Sequence, residues 1–212
     1  ANACTGEKGL ADAREMASFT AGLLDIDEKG VYVCSTGVIG HFLPMDKVRT
    51  GIADAVDKMD ENEGESAALA IQTTDTFVKK IAYEFELGGK KARIAGIAKG
   101  AGMIHPNMAT MLTFITTDAA IAPDVLKRTV KAVADKSFNM VVVDGDTSTN
   151  DSMIVLANGL AENEIILSEE HPDYPVFFQA FLRAAQDLAK MIAHDGEGAT
   201  KFLEVNVIGA AS

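Results

Sequence analysis

Apolar residues recur along this chain with two different periods, and the changes of period mark the elements. From Gly9 to Leu24, the residues Leu10, Ala13, Ala17 and Leu24 return at helical spacing on one face, and Lys29-Gly30 closes the segment. The short apolar run Val31-Tyr32-Val33-Cys34 that follows predicts a buried strand. Pro44-Met45 opens the next predicted helix, because proline suits a first turn, where its missing N–H has no helical partner to lose. Val48, Ile52 and Val56 line the inward face of that helix as far as the acidic break Asp60-Glu61-Asn62-Glu63-Gly64, and a short apolar stretch, Ala67 to Ile71, follows.

Between Ile81 and Ala98 the period drops to two. Ile81, Tyr83, Phe85 and Leu87 alternate with Ala82, Glu84 and Glu86; beyond Gly88-Gly89, Ala92, Ile94, Gly96 and Ala98 alternate with Arg93, Ala95 and Ile97. A Gly-Gly pair between two alternating runs predicts a hairpin. Met111 to Thr117 reads as a central strand, Asp124 to Lys136 as an amphipathic helix behind Pro123, and Met140 to Val143 as a strand. Ser152 to Leu160 is an apolar segment of undecided type, Pro175 to His194 a long helix, and Phe202 to Ile208 a last alternating strand. The mixture predicts an α/β chain, with the hairpin in an antiparallel sheet packed under helices. A soft boundary at residues 119–123 divides it into an expected catalytic domain, 1–120, and a second α/β domain, 121–212.

Composition excludes several functions. With 212 residues, 48% of them hydrophobic and 24% charged, the chain has the balance of an ordinary globular protein. Nineteen Lys and Arg against 31 Asp and Glu leave a formal charge of -12, which repels phosphate backbones and anionic lipid, so neither nucleic acid nor membrane is an expected partner. Cys4 and Cys34 form no disulfide framework and lie in no zinc spacing. No apolar run approaches a membrane span, and residues 1–6 lack the basic and apolar regions of a secretory leader, so a soluble cytoplasmic protein is the expectation.

Four segments carry candidate chemistry. Lys99-Gly100-Ala101-Gly102 opens a Gly- and Pro-containing loop that delivers Ala109-Thr110 to the start of a hydrophobic run. A Thr placed there is able to attack the preceding carbonyl, shift the peptide bond from nitrogen to oxygen and, after hydrolysis, keep a free α-amine beside its own hydroxyl. The alternative is an ordinary loop entering a core strand. Cys34-Ser35-Thr36-Gly37-Val38-Ile39-Gly40 is a run ending in small residues, where a hydroxyl and a backbone N–H are able to converge on an oxyanion, or where Gly simply makes a turn. Asp195-Gly196-Glu197-Gly198 puts a carboxylate after the long helix, either to hold a substrate ammonium or as a solvated helix end.

Asp144, Asp146 and Asp151 lie in the fourth, an oxygen-rich loop, but the twelfth position from Asp144 is Val155 and Gly145 stands second, which excludes an EF-hand. A non-EF Mg²⁺ or phosphate site and plain turn or cap roles remain the two readings. His41, His105, His171 and His194 show no metal spacing, and no Gly-x-Ser-x-Gly elbow or Walker loop is present.

Read together, these segments resemble the glutamate N-acetyltransferase family, also called ornithine acetyltransferase, of arginine biosynthesis. The matching stretches are Ala1 to Gly6, Ser35 to Gly40 with Leu43-Pro44-Met45-Asp46-Lys47, Thr73-Thr74-Asp75-Thr76, Lys99 to Leu112, Asp144 to Asp151 and Asp195 to Lys201, in family order. The resemblance implies cleavage between Ala109 and Thr110, Thr110 as nucleophile, Thr36 and Gly37 as oxyanion hole, and Thr73, Lys99, Thr110 and Glu197 as substrate-binding positions. It implies transfer of acetyl from N-acetylornithine to glutamate without a cofactor, and in some members acetyl-CoA as a further donor. It also implies a hetero-oligomer, such as a heterotetramer, of the two cleavage chains. Its implied fold is a layered helix–sheet–sheet–helix arrangement similar to N-terminal-nucleophile hydrolases, with a smaller second α/β domain. The match covers a central portion of the family's length, so a longer parent chain is expected. An N-terminal-nucleophile amidase or aminopeptidase with water as acceptor, and a metal-dependent phosphate-binding protein built on Asp144, Asp146 and Asp151, are the competing readings.

Overall fold

Gly88 and Gly89 sit at positive φ, 54° and 80°, the backbone a two-residue hairpin turn requires. They join strand β1 (Lys79–Leu87) to β2 (Lys90–Lys99), paired antiparallel with Leu87 opposite Lys90. A computed structural model describes residues 1–105 and 111–209 of the chain. In it β3 (Leu112–Thr117) runs antiparallel to β2, and β4 (Ser152–Ala157) runs parallel to β3, giving one four-stranded sheet in the order β1-β2-β3-β4. The undecided segment after Asp151 is therefore a strand, and the sheet is mixed where an antiparallel one was expected. The reason is the connection: a parallel neighbour needs a crossover, and the segment carrying α4 (Pro123–Asp135) supplies it.

The long helix α5 (Tyr174–His194) covers β1 and β2. Phe177, Phe181, Ala184, Ala185, Leu188, Ala189 and Ile192 recur three and four residues apart on its buried face. Gly96 on β2 makes the close approach possible, since a Cβ there would stand 3.0 Å from both Ile115 and Leu188. Leu87, Ile94, Ile115, Val125, Val133 and Ile166 join the α5 face in one core that draws on both sides of residue 120.

Three further helices precede the sheet: α1 (Gly6–Leu24), α2 (Met45–Asp57) and α3 (Gly64–Ala70). On α1 the buried positions are Gly9, Asp12, Met16 and Ala21, while Leu10 is exposed, so the inward face is rotated from the expected one. The rotation is set by the residues before the helix: Asn2 Nδ2 donates to Gly9 C=O at 2.8 Å, and Thr5 Oγ1 donates to Asn2 Oδ1 at 2.6 Å, which turns Gly9 inward.

Three expected strands do not form. Residues 31–34 and 202–208 have no regular secondary structure, with Tyr32 68% and Ile208 94% exposed. Residues 138–140 make a short 3₁₀ turn, after which the Val143 N–H donates to Ile104 C=O at 2.8 Å. A strand needs a neighbour that takes its N–H and C=O groups in register, and among the described residues none of these three runs is paired in a ladder. Among those residues no helix is long and apolar enough to cross a membrane.

Candidate active site

β2 ends at Lys99, and the turn that follows gathers the candidate residues. Lys99 is 2% exposed, and its ammonium donates to Thr36 Oγ1 at 3.2 Å across 63 residues of sequence. Gly100, with φ 153°, turns the chain and donates its N–H to Asp75 Oδ1 at 2.7 Å. The Glu197 N–H donates to Ala101 C=O at 2.7 Å. The Glu197 carboxylate lies against Gly102, where a Cβ would come within 2.6 Å of Oε2. Thr73 is exposed, and its N–H reaches Asp75 Oδ2 at 3.2 Å.

The segment carrying Thr36 and Gly37 is fixed by the residues near position 1. Asn2 N–H donates to Ser35 Oγ at 2.8 Å and Gly40 N–H donates to Ala3 C=O at 2.9 Å. Gly37 has φ 130°, a conformation that favours glycine. Thr36 and Glu197 thus meet residues 99–102 directly, Gly37 follows Thr36, and Thr73 connects through Asp75, although the sequence numbers run from 36 to 197. Ala109 and Thr110 lie outside the described residues.

The electrostatics are those of a buried polar site. Burial pushes the Lys99 ammonium below its ordinary pKa, while Asp75, Asp151 and Glu197 favour its charged form. Burial pushes the Asp151 carboxyl up to about 6, against the Met111 N–H, the Ser148 hydroxyl and Lys99, which pull the other way. Asp151 Oδ1 accepts the Met111 N–H at 2.7 Å, and its Oδ2 is buried with no hydrogen-bond partner among the described residues. Burial also opposes ionisation of Asp75, but the Gly100 N–H, the Lys79 ammonium and the Thr73 N–H outweigh it and hold that carboxyl below the usual range.

In the oxygen-rich loop two carboxylates accept backbone N–H groups. Asp144 accepts the N–H groups of Met103 at 2.5 Å and Ile104 at 2.9 Å, and Asp151 accepts that of Met111. Among the described residues no three or more His, Cys, Asp or Glu are grouped to hold a metal ion. The sequence reading missed Lys79, Asp195 and the backbone-holding role of Asp75, whereas the bonds of Asp144 and Asp151 are of the turn and cap kind it offered for that loop. Asp75 and Asp195 stand inside motifs that were already conspicuous; Lys79, at the head of an alternating run, gave no sign of its burial.

The mixed α/β sheet and helix arrangement belongs to a recognisable class. It is similar to the solved structure of the L-aminopeptidase D-Ala-esterase/amidase of Ochrobactrum anthropi, described as a variant of the Ntn hydrolase fold, with a TM-score of 0.50 over 86% of this chain and 62% of that one. At 12% identity the likeness is one of fold alone. The particular family follows from sequence: the ArgJ family matches residues 1–212, and the chain belongs to it. The arginine biosynthesis bifunctional protein ArgJ of Bacillus thuringiensis subsp. konkukian (strain 97-27) is 54% identical over 99% of this chain and 51% of its own length. That of Bacillus subtilis (strain 168) is 53% identical over the same shares. A crystal structure of the Bacillus halodurans protein of that name is 53% identical, with a TM-score of 0.39 over 41% of this chain and 39% of that chain. The chain spans about half the length of the curated relatives it matches.

Proposed function

We propose that this chain carries the nucleophile and oxyanion hole of an acetyltransferase that moves acetyl from N-acetylornithine to glutamate through an acetyl-Thr110 enzyme. The observation that supports it best is the contact between buried Lys99 and the Thr36 hydroxyl, with Glu197 held at the same turn. Thr110 becomes N-terminal when its hydroxyl attacks the Ala109 carbonyl carbon, the peptide bond shifts to an ester, and water hydrolyses that ester to leave the Ala109 carboxylate and the Thr110 amine.

In transfer, the Thr110 oxygen attacks the acetyl carbonyl carbon and its proton passes to the α-amine. The Thr36 hydroxyl and Gly37 N–H receive the oxyanion. As the C–N bond breaks, the proton goes to the departing ornithine nitrogen. Glutamate then attacks acetyl-Thr110 through its amine, the C–O bond breaks, and the proton returns to the Thr110 oxygen. Glu197 faces the side-chain ammonium of N-acetylornithine, and Lys99 faces a carboxylate or the oxyanion. Thr73 completes the binding positions, and the two cleavage pieces assemble as a cytoplasmic hetero-oligomer.

The test is Thr110→Ala in the full-length protein, read by mass spectrometry. One intact chain and no transfer are expected, against two fragments dividing at Ala109-Thr110 in the unsubstituted protein; a cleaved variant overturns the assignment. Products from labelled N-acetylornithine separate the acceptors. N-acetylglutamate supports transfer, and acetate with or without glutamate establishes the amidase reading.

A further inference from the structure

A group of three buried charges lies behind the site. Lys79 is fully buried, its ammonium 2.6 Å from Asp75 Oδ1 and 2.5 Å from Asp195 Oδ2, and neither carboxylate is more than 2% exposed. Burying three charges is a weak way to stabilise a fold, because well-packed apolar residues do as well or better. The arrangement therefore calls for another reason, and the remaining bonds supply one.

Each carboxylate ties Lys79 to a different segment. Asp75 accepts the N–H groups of Gly100, next to Lys99, and of Thr73. Asp195 accepts the Thr76 N–H at 3.0 Å and is bonded by the Thr76 hydroxyl. Two residues beyond Asp195, the Glu197 N–H bonds Ala101. The bonds close a circuit through residues 73–76, 79, 99–101 and 195–197. Of the three charges, Asp75 favours the charged form of buried Lys99 and Lys79 opposes it.

We infer that Asp75, Lys79 and Asp195 are positioning residues of the transfer site, which lock the segments of Thr73, Lys99 and Glu197 in one arrangement and act on substrate only through them. The inference rests on the transferase reading above.

The test is a double-variant cycle in the full-length protein with Asp195→Asn and Glu197→Gln, measuring cleaved fraction, acetylatable sites and KM for N-acetylornithine in the first half-reaction. Asn keeps the shape and leaves the Lys79–Asp75 pair intact. Asp195→Asn is expected to raise KM by about 10- to 100-fold while the cleaved fraction stays at the wild-type level, since a small displacement of a binding group has effects of this size. In the Glu197→Gln background the same change is expected to add less than about 3-fold, because both act through one contact. Unchanged KM with fewer acetylatable sites, or fully multiplicative effects, overturns the inference. Thr76→Val removes one tie to Asp195 without altering any charge, and its expected smaller rise in KM keeps the test decisive if Asp195→Asn does not fold. A wild-type protein that forms no acetyl-Thr110 overturns the transferase reading itself, so the two failures are distinct.

Discussion

The sheet under α5 and the segment at 202–208 are built from similar alternating apolar sequence and end in opposite surroundings. Leu87, Ala92 and Ile94 are closed off from solvent, whereas Leu203 is 83% and Val207 75% exposed. β1 has β2 to satisfy its backbone and α5 to cover its apolar face. Residues 202–208 have no paired strand among the described residues, and α5 meets them at its C-terminal end, where Lys190 pairs with Glu204 at 3.0 Å and the His194 ring packs near that of Phe202, without closing their apolar side chains off from solvent. Alternation thus specifies which side chains would share a face; burial comes from a partner elsewhere in the chain, and that partner is what separates the two regions.

The largest expected effect tests this difference directly. Phe181 is fully buried on the α5 face, so Phe181→Ala should reduce unfolding free energy by about 3–5 kcal/mol through lost transfer energy and the cavity left behind. Leu203→Ala, the same kind of truncation on the uncovered segment, should change it by no more than about 0.5 kcal/mol. Urea denaturation of both variants decides. A comparable loss at Leu203 would mean that the exposed segment is covered in solution, and the contrast would collapse.

Asp151 stands at the border between the two regimes, one oxygen bonded and one buried without a described partner. Its carboxyl is pushed from 3.8 to about 6 in the fold, so the folded state prefers the protonated form. The stability it contributes is full below pH 3.8 and is lost as pH rises through about 6. Asn mimics the protonated group. Asp151→Asn should therefore melt higher than the unsubstituted protein at pH 7 to 8, by an amount on the order of 1 kcal/mol after solvent screening, and the gap should close below about pH 4. Thermal melts across that range measure it, and a gap independent of pH would show that the fold does not push this carboxyl upward.

These two cases also mark what the sequence could reveal. The hairpin, β3 and α5 were legible because each signal is local: a Gly-Gly turn, an apolar run, a stripe at helical spacing. The parallel addition of β4 was not, because nothing between Ser152 and Leu160 names β3 as its neighbour. Thr36, Gly37, Thr73, Lys99 and Glu197 were candidates through the family resemblance, yet the contacts that bring Thr36, Asp75 and Glu197 to residues 99–101 span 25 to 96 positions. Lys79 stayed hidden for the same reason, since its burial depends on Asp195, 116 residues away. For Asp144 and Asp151 the sequence left a metal or phosphate site and plain turn or cap roles side by side, because a string of oxygens has the same appearance whether it faces a cation or backbone N–H groups.

The smallest expected effect on stability carries the sharpest contrast between core and site. A methyl group at Gly96 would meet Ile115 and Leu188, which are packed on all sides, but one at Gly102 would meet the carboxylate end of exposed Glu197 at 2.6 Å. A flexible side-chain tip gives way readily, and Gly102 has no positive φ to forbid a side chain. Gly102→Ala should therefore shift unfolding free energy by less than about 0.5 kcal/mol, a change of 1 or 2 °C in melting temperature for a protein of this size. The displaced carboxylate should nevertheless weaken use of N-acetylornithine by roughly 10-fold, as loss of one charge-assisted contact does, with the cleaved fraction unchanged. Steady-state kinetics beside a thermal melt read both quantities on one preparation. If the variant loses stability and keeps its KM, Gly102 belongs to the packing of the loop, and the Glu197 carboxylate has no part in holding the substrate ammonium.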